Sequence, residues 1–312
     1  MENPSSGFER VSIRGLRLQL NAIRQESASY ATALRISTVL LVAALFIGRR
    51  PDSLFHAQFW AEDGPIFYFQ ALKDGPLRSL FEQYSGYIHI IPRLTAIVAV
   101  QMPPLFAPLI FSAVAFAFAI YACSMFASIR YRSIVRSDLL RVLLCCAFAV
   151  VPPADELIGT LTDLHYYLFL MIFLQLVGIS ANRENREDPL WKVALGALVA
   201  FVATTSAPEA VLLLPIAGWQ LTRGKASSPL IPLAVVIGAV VQLGNLLTSS
   251  WQPASRPMPE TLFFTTVVAF VHRVVISSIA GQPASASIVA NGAQGLVLAL
   301  IMLLTGGFVA LW

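Results

Sequence analysis

The chain has 312 residues, 57% of them hydrophobic and only 12% charged, with a formal net charge of +4. A soluble domain carries about 25% charged residues, and a core built from this length cannot hide so many apolar runs, so a soluble globular fold is excluded. The basic balance fits topology rather than nucleic acid, because the Lys and Arg residues sit beside apolar runs, as cytoplasmic loops do.

The stretch up to Ser29 is polar and carries Arg10, Arg14, Arg17 and Arg24. Within it, Ile13, Leu16, Leu20 and Ile23 recur at helical spacing, which predicts an amphipathic helix over Val11–Arg24 lying on the inner membrane surface. The first apolar run, 31–48, has no small-residue cleavage site and continues into Arg49-Arg50, so it reads as a retained span. Residues 1–30 are therefore a cytoplasmic N-terminal segment. Residues 31–312 form one transmembrane domain, with an outer loop over 49–104.

Further apolar runs follow at 87–103, 105–128, 139–152, 164–181, 191–205, 208–221, 229–248, 262–280 and 288–312. Basic residues concentrate in the N-terminus, Arg130–Arg141, Arg183–Lys192 and Arg223–Lys225. If all of these are cytoplasmic, an even number of crossings separates each neighbouring pair. The runs 139–152 and 164–181 then form a hairpin with its tip outside. The run between Lys192 and Arg223 must split into two short helices, broken at Thr204–Glu209.

Three runs lie between the N-terminus and Arg130, so one of them cannot cross. The weakest is Tyr87–Pro103, which holds His89, Pro92 and Arg93 and ends at Pro103-Pro104. It is expected to be a re-entrant or interfacial helix on the outer side. Arg49-Arg50 would then lie outside, against the positive-inside rule. Run 229–248 is expected to lead outward, and the segments after residue 260 cannot be oriented, since no Lys or Arg follows Arg273. The sequence stops at Trp312 inside an apolar run with no polar cap, the pattern expected of a C-terminally truncated fragment or of an end left in the membrane. The fold class expected is an all-α polytopic bundle of about 8–9 spans with an outer-face loop and an interfacial or re-entrant helix after the first span.

Chemistry concentrates in the loops between spans. The first outer loop carries Glu62 and Asp63 between Trp60 and Gly64-Pro65, followed by the aromatic stretch Phe67-Tyr68-Phe69. A carboxylate held at the interface by aromatic anchors can take a proton from a hydroxyl, although an ordinary solvated loop has the same composition. Asp155 and Glu156 lie at the tip of the next hairpin, before Asp163-Leu164-His165, where Thr162 or Asp163 suits a helix N-cap. Glu209 lies at the third outer break, so three acidic loops share one face.

His272-Arg273 falls inside run 262–280, where an ionisable residue is either functional or on a surface helix. The histidines are scattered singly, and Cys123, Cys145 and Cys146 all fall in apolar stretches. No P-loop, dinucleotide fingerprint, Cys/His metal spacing or nucleophile elbow is present. No metal ligand set is assigned, and the use of a divalent cation stays open.

Trp60-Ala61-Glu62-Asp63-Gly64 after the first helix, followed by Tyr84-Ser85-Gly86-Tyr87-Ile88-His89-Ile90-Ile91-Pro92-Arg93, resembles the first outer loop of GT-C-type membrane glycosyltransferases. Asp155-Glu156 through His165-Tyr166-Tyr167 resembles their second outer loop, and Ser206-Ala207-Pro208-Glu209 resembles their third break. The resemblance covers about residues 31–275, and relatives are generally longer. It implies a multi-pass protein of the bacterial inner membrane that moves a sugar from a polyprenyl-phosphate donor to a lipid or glycan acceptor on the outer face. Asp63 or Glu62 would be the catalytic base. Asp155, Glu156, His89, His165 and Glu209 would bind substrate, while Arg93 and Arg273 would hold the donor phosphate. Two readings compete with it: a lipid or polysaccharide transporter, and a non-catalytic membrane assembly protein.

Overall fold

The computed structural model describes residues 13–151, 157–181, 189–223 and 229–249. Runs 262–280 and 288–312 lie outside the described residues, as do Asp155, Glu156, His272 and Arg273.

The described chain is helical apart from one short hairpin. Helix α1 (Ile13–Arg49) is followed by the short α2 (Asp52–Phe55), α3 (Phe69–Asp74) and α4 (Pro76–Leu80). Strands β1 (Gln83–Tyr84) and β2 (Tyr87–Ile88) lead into α5 (Ile90–Ala99). The remaining helices are α6 (Ala107–Ser124), α7 (Asp138–Val150), α8 (Leu164–Ala181), α9 (Leu190–Thr204), α10 (Leu214–Arg223) and α11 (Leu230–Thr248).

Among the described residues, three helical segments are long and apolar enough to cross a membrane: Ser29–Arg49, Pro104–Ala127 and Leu230–Thr248. Their packing fits that role. Leu40 in the first, Leu105 in the second and Val240 in the third stay more than half exposed, which suits lipid on the outside and helix on the inside. Between α9 and α11 the contact is built from small residues. Ala200, Ala203 and Thr204 meet Ala234, Gly238 and Ala239, all buried or nearly so. A Cβ at Gly238 would come within 2.8 Å of Thr204 Cβ, so only glycine permits this approach.

The run Tyr87–Pro103 resolves into a two-stranded hairpin and the ten-residue α5. At about 15 Å, α5 is half the length that a hydrocarbon core demands. It buries Ile91, Pro92, Arg93, Thr95, Ala96 and Ala99 against the bundle. Ser85 and Gly86 turn the hairpin, with φ of 53° and 86°, the positive values that two-residue hairpin loops demand. The hairpin is absent from an all-α expectation, yet the Ser-Gly pair between aromatic residues is its ordinary sequence signal.

Among the described residues no boundary separates 13–24 from the apolar run that follows. From Ile13 the backbone continues unbroken into the apolar run, making α1 37 residues long. The break at 204–209 is present, as α9 ends at Thr204 and a 3-10 turn over Pro208–Leu213 precedes α10. Arg49 and Arg50 also find a physical reason for their place. Arg49 Nη1 donates to the Ala149 carbonyl at 2.7 Å, and Arg50 Nη1 to the Ile158 carbonyl at 3.1 Å. They close the open carbonyls at and beyond the C-terminal end of α7.

Helix directions divide the bundle into two ends. The C-terminal ends of α1, α7, α9 and α11 and the start of α8 gather beside Glu62, Asp63 and Glu209, which makes this the acidic end. The opposite end carries Arg130, Arg132, Arg141 and Lys192. There Asp138 is shared by Arg132, through Nε at 3.1 Å and Nη2 at 2.7 Å, and by Arg141 Nη2 at 2.5 Å. These bonds hold the Asp138 carboxyl below its ordinary range. In membranes, Lys73→Cys and Arg136→Cys are expected to react with an impermeant thiol reagent from opposite sides. Labelling of both from one side would contradict the two-ended arrangement.

Candidate functional site

The acidic end is assembled from the loop after α1, the hairpin, the approach to α8 and the break after α9. The loop turns at Ala61, whose φ of 41° is left-handed and strained for a residue with a Cβ. This twist starts a 3-10 turn over Ala61–Asp63 that sends the two acids in different directions. Ala61→Gly is expected to be as stable as the wild type or better, by up to about 1 kcal/mol. Ala61→Val should be clearly less stable, and thermal unfolding of both in detergent checks this.

Asp63 turns inward and is 2% exposed. Its Oδ2 accepts from Leu161 N at 3.1 Å, and its Oδ1 accepts from Thr162 N at 2.9 Å and Thr162 Oγ1 at 2.8 Å. Burial pushes its carboxyl up to about 6, against the three hydrogen bonds that pull it down. The loop it holds turns at Gly159, where φ is 75° and a Cβ would press on Ser53 and Phe116. Asp163, a candidate cap for α8, has its Oδ2 3.5 Å from Thr160 Oγ1.

Glu62 turns the other way and stays half-buried. Its Oε1 accepts from the Tyr84 hydroxyl at 2.9 Å, and its other oxygen has no partner among the described residues. From Tyr84 a row of rings crosses the site. The His89 imidazole lies 5.8 Å from Tyr84, stacks on Tyr87 at 3.9 Å and tilts against Phe67 at 5.0 Å. Tyr87 in turn meets His165 edge-on at 6.5 Å. Burial, then the charge of Arg93 and of His165, push the His89 imidazole down to about 3, so it is neutral.

His165, in the first turn of α8, brings Nδ1 to 2.8 Å from Glu209 Oε1. The approach is close but poorly aligned for a hydrogen bond, and Glu209 Oε2 is buried without a partner. Burial raises the Glu209 carboxyl, but the His165 contact outweighs it and holds the group below its ordinary range. Two carboxylates therefore bracket an aromatic row, Glu62 at one end and Glu209 at the other.

Arg93 lies beneath this row and is wholly buried. Its Nη1 donates to Gln70 Oε1 at 3.0 Å, and its guanidinium sits over the Phe67 ring at 5.5 Å. Nε and Nη2 have no partner, and burial lowers its pKa to about 10. In this arrangement Arg93 meets no outside anion.

The hairpin is fixed from two sides. Gln242 of α11 accepts from Ile88 N at 3.2 Å and donates to Ile88 O at 3.0 Å, closing the strand edge with a side chain. Ser206 Oγ accepts from Ile91 N at 2.9 Å. The structure thus gathers Glu62, Asp63, His89, Arg93, His165 and Glu209 at one end of the bundle. Residue patterns had assigned no role to Tyr84, Gln70, Gln242 or Ser206. A buried glutamine in an apolar helix such as α11 was the one available signal for Gln242. Among the described residues, no group of three or more His, Cys, Asp or Glu side chains is placed to hold a metal ion. The chain matches no protein-family model, no curated protein sequence and no solved structure.

Proposed function

We propose that the chain is a GT-C-type membrane glycosyltransferase of the bacterial inner membrane, with about 8–9 spans, its N-terminus cytoplasmic and its acidic end outward. It takes a sugar from a polyprenyl-phosphate donor and passes it to a lipid or glycan hydroxyl. The observation that carries this reading is the pair of unpartnered carboxylate oxygens at the two ends of one aromatic row, one on half-buried Glu62 and one buried on Glu209.

In this mechanism Glu62 is the base. Its unpartnered oxygen takes the proton of the acceptor hydroxyl, while Tyr84 fixes the other oxygen. The acceptor oxygen forms a bond to the anomeric carbon as the bond from that carbon to the phosphate oxygen breaks. Polyprenyl phosphate leaves with the electron pair, and the configuration inverts. Glu209 Oε2, buried and unpartnered before substrate enters, would accept a substrate hydroxyl as the site opens, while Tyr87 and His165 supply flat surfaces for a sugar ring. Asp63 is a positioning residue here, since both its oxygens are occupied by the 161–162 backbone and Thr162. Donor phosphate would meet the free N–H groups of Arg93 once Phe67 and Gln70 swing aside.

The test is sugar transfer from a polyprenyl-phosphate donor in membranes, comparing the wild type with Glu62→Gln and Asp63→Asn. Undiminished transfer by both variants would overturn the reading.

A further inference from the structure

At the basic end, far along the helices from the acids, a cavity of about 260 Å³ opens between α1, α6, α8, α9 and α11. Arg35, Arg130 and Lys192 all line it. None of these cations has a carboxylate within ion-pair distance among the described residues, whereas the neighbouring Arg132 and Arg141 share Asp138. Three like charges around one small space repel each other, a cost that an anion at its centre would remove. Gln175 also lines the space; it is 7% exposed and its Oε1 is buried without a partner. Its amide is therefore free to turn donor or acceptor toward a guest. Ser128 adds a hydroxyl to the wall.

The volume falls below that of pockets enclosing drug-sized ligands, on the order of 300–1,000 Å³. A headgroup fits where a whole lipid does not. The surroundings supply the rest of a lipid site. Arg35 lies within the span Ser29–Arg49, so the cavity reaches into membrane depth. Leu195 lines the cavity and is 53% exposed, with Leu198 exposed one turn further along α9. An apolar path for acyl chains thus begins at the cavity. Trp191, 64% exposed beside Lys192, sits where interfacial aromatics anchor.

We propose that this cavity binds the phosphate of an anionic phospholipid headgroup from the leaflet at the basic end. Arg130 and Arg35 would grip the phosphate oxygens through planar guanidinium groups, and Lys192 would add a point charge. The site lies apart from the acidic end and does not depend on the sugar-transfer reading.

The experiment uses the purified full chain in detergent, with phosphatidylglycerol or phosphatidylcholine added at equal concentration and bound lipid counted by native mass spectrometry. Phosphatidylglycerol is expected to be retained at least tenfold more than phosphatidylcholine. In Arg130→Gln/Lys192→Gln that preference should fall to within twofold. Those changes relieve repulsion, so the unfolding midpoint should not drop. Gly178→Leu is an independent probe that keeps every charge. A Cβ there already comes within 3.0 Å of Arg130 Cδ and Tyr131 Oη, so the larger side chain should fill the cavity and abolish the preference. Equal retention of the two lipids by the wild type, or a preference that survives in a folded variant, would overturn the proposal. Displacement of the lipid by millimolar inorganic phosphate would overturn the lipid source in favour of a free phosphate.

Discussion

Glu62→Gln is expected to slow sugar transfer by two to four orders of magnitude, the usual contribution of a general base. This corresponds to about 3–5 kcal/mol of barrier. The substitution keeps the shape of the side chain, and the Gln carbonyl can still accept from Tyr84, so the fold should be unaffected. What it removes is the unpartnered oxygen's capacity to hold a proton. The loss should therefore appear in kcat, with KM nearly unchanged. Tyr84→Phe should cost much less, since it frees the carboxylate to turn without removing its basicity. Wild-type rates in Glu62→Gln would sink the assignment of this carboxylate as base.

Asp63→Asn should act through stability. Three donors converge on the two carboxylate oxygens, and an amide must turn its own NH2 toward at least one of them. A buried donor facing a donor costs about 2 kcal/mol, partly offset because a neutral group no longer suffers burial of charge.

The pH dependence is more informative than the size. The Asp63 carboxyl is raised to about 6 from 3.8 in the folded chain. Its contribution is therefore greatest below 3.8 and declines by about 3 kcal/mol as pH rises through 6. His89 runs the other way. Its imidazole is lowered to about 3 from 6.5, so its contribution is complete above 6.5 and is lost, by about 5 kcal/mol, as pH falls through 3. Between pH 6 and 4 the two slopes have opposite signs and similar size, which leaves the wild type nearly flat. With Asp63→Asn only the histidine slope remains. The variant should lose about 3 kcal/mol between pH 6.5 and 4, read from denaturant or thermal unfolding in detergent. Parallel profiles for variant and wild type would mean that Asp63 does not titrate in this window.

The parity of basic loops singles out the run that holds the ten-residue α5, and it splits the run after Lys192 where α9 ends. Both conclusions rest on charge and length, which the sequence displays directly. Residue patterns also placed Glu62, Asp63, His165 and Glu209 on one face. They could not distinguish Glu62 from Asp63. That division depends on the left-handed turn at Ala61 and on a partner, Thr162, that lies 99 positions away. Nor could spacing foretell that Arg93 would be buried over Phe67 instead of facing outward. The spacing of Ile13, Leu16, Leu20 and Ile23 does not reveal that the helix from Ile13 runs on without a break to Arg49. Periodicity marks a face and carries no information about whether the backbone pauses. The basic cavity has no signature in the sequence because its charges are far apart along the chain and meet only after folding.

The bond between Asp63 and the 161–162 backbone has a consequence for the order of assembly. Its partners are separated by nearly a third of the chain, with α5, α6 and α7 between them. During synthesis Glu62 and Asp63 emerge long before Thr162 exists to receive them. Until the helical hairpin of α7 and α8 inserts, the Asp63 carboxylate stays hydrated and ionised, and the first loop stays open. Arrival of the second loop draws that carboxylate out of water and latches the two segments together. An interruption of synthesis between residues 63 and 160 would thus leave the acids present but unlatched, and the site would form late, in a single step.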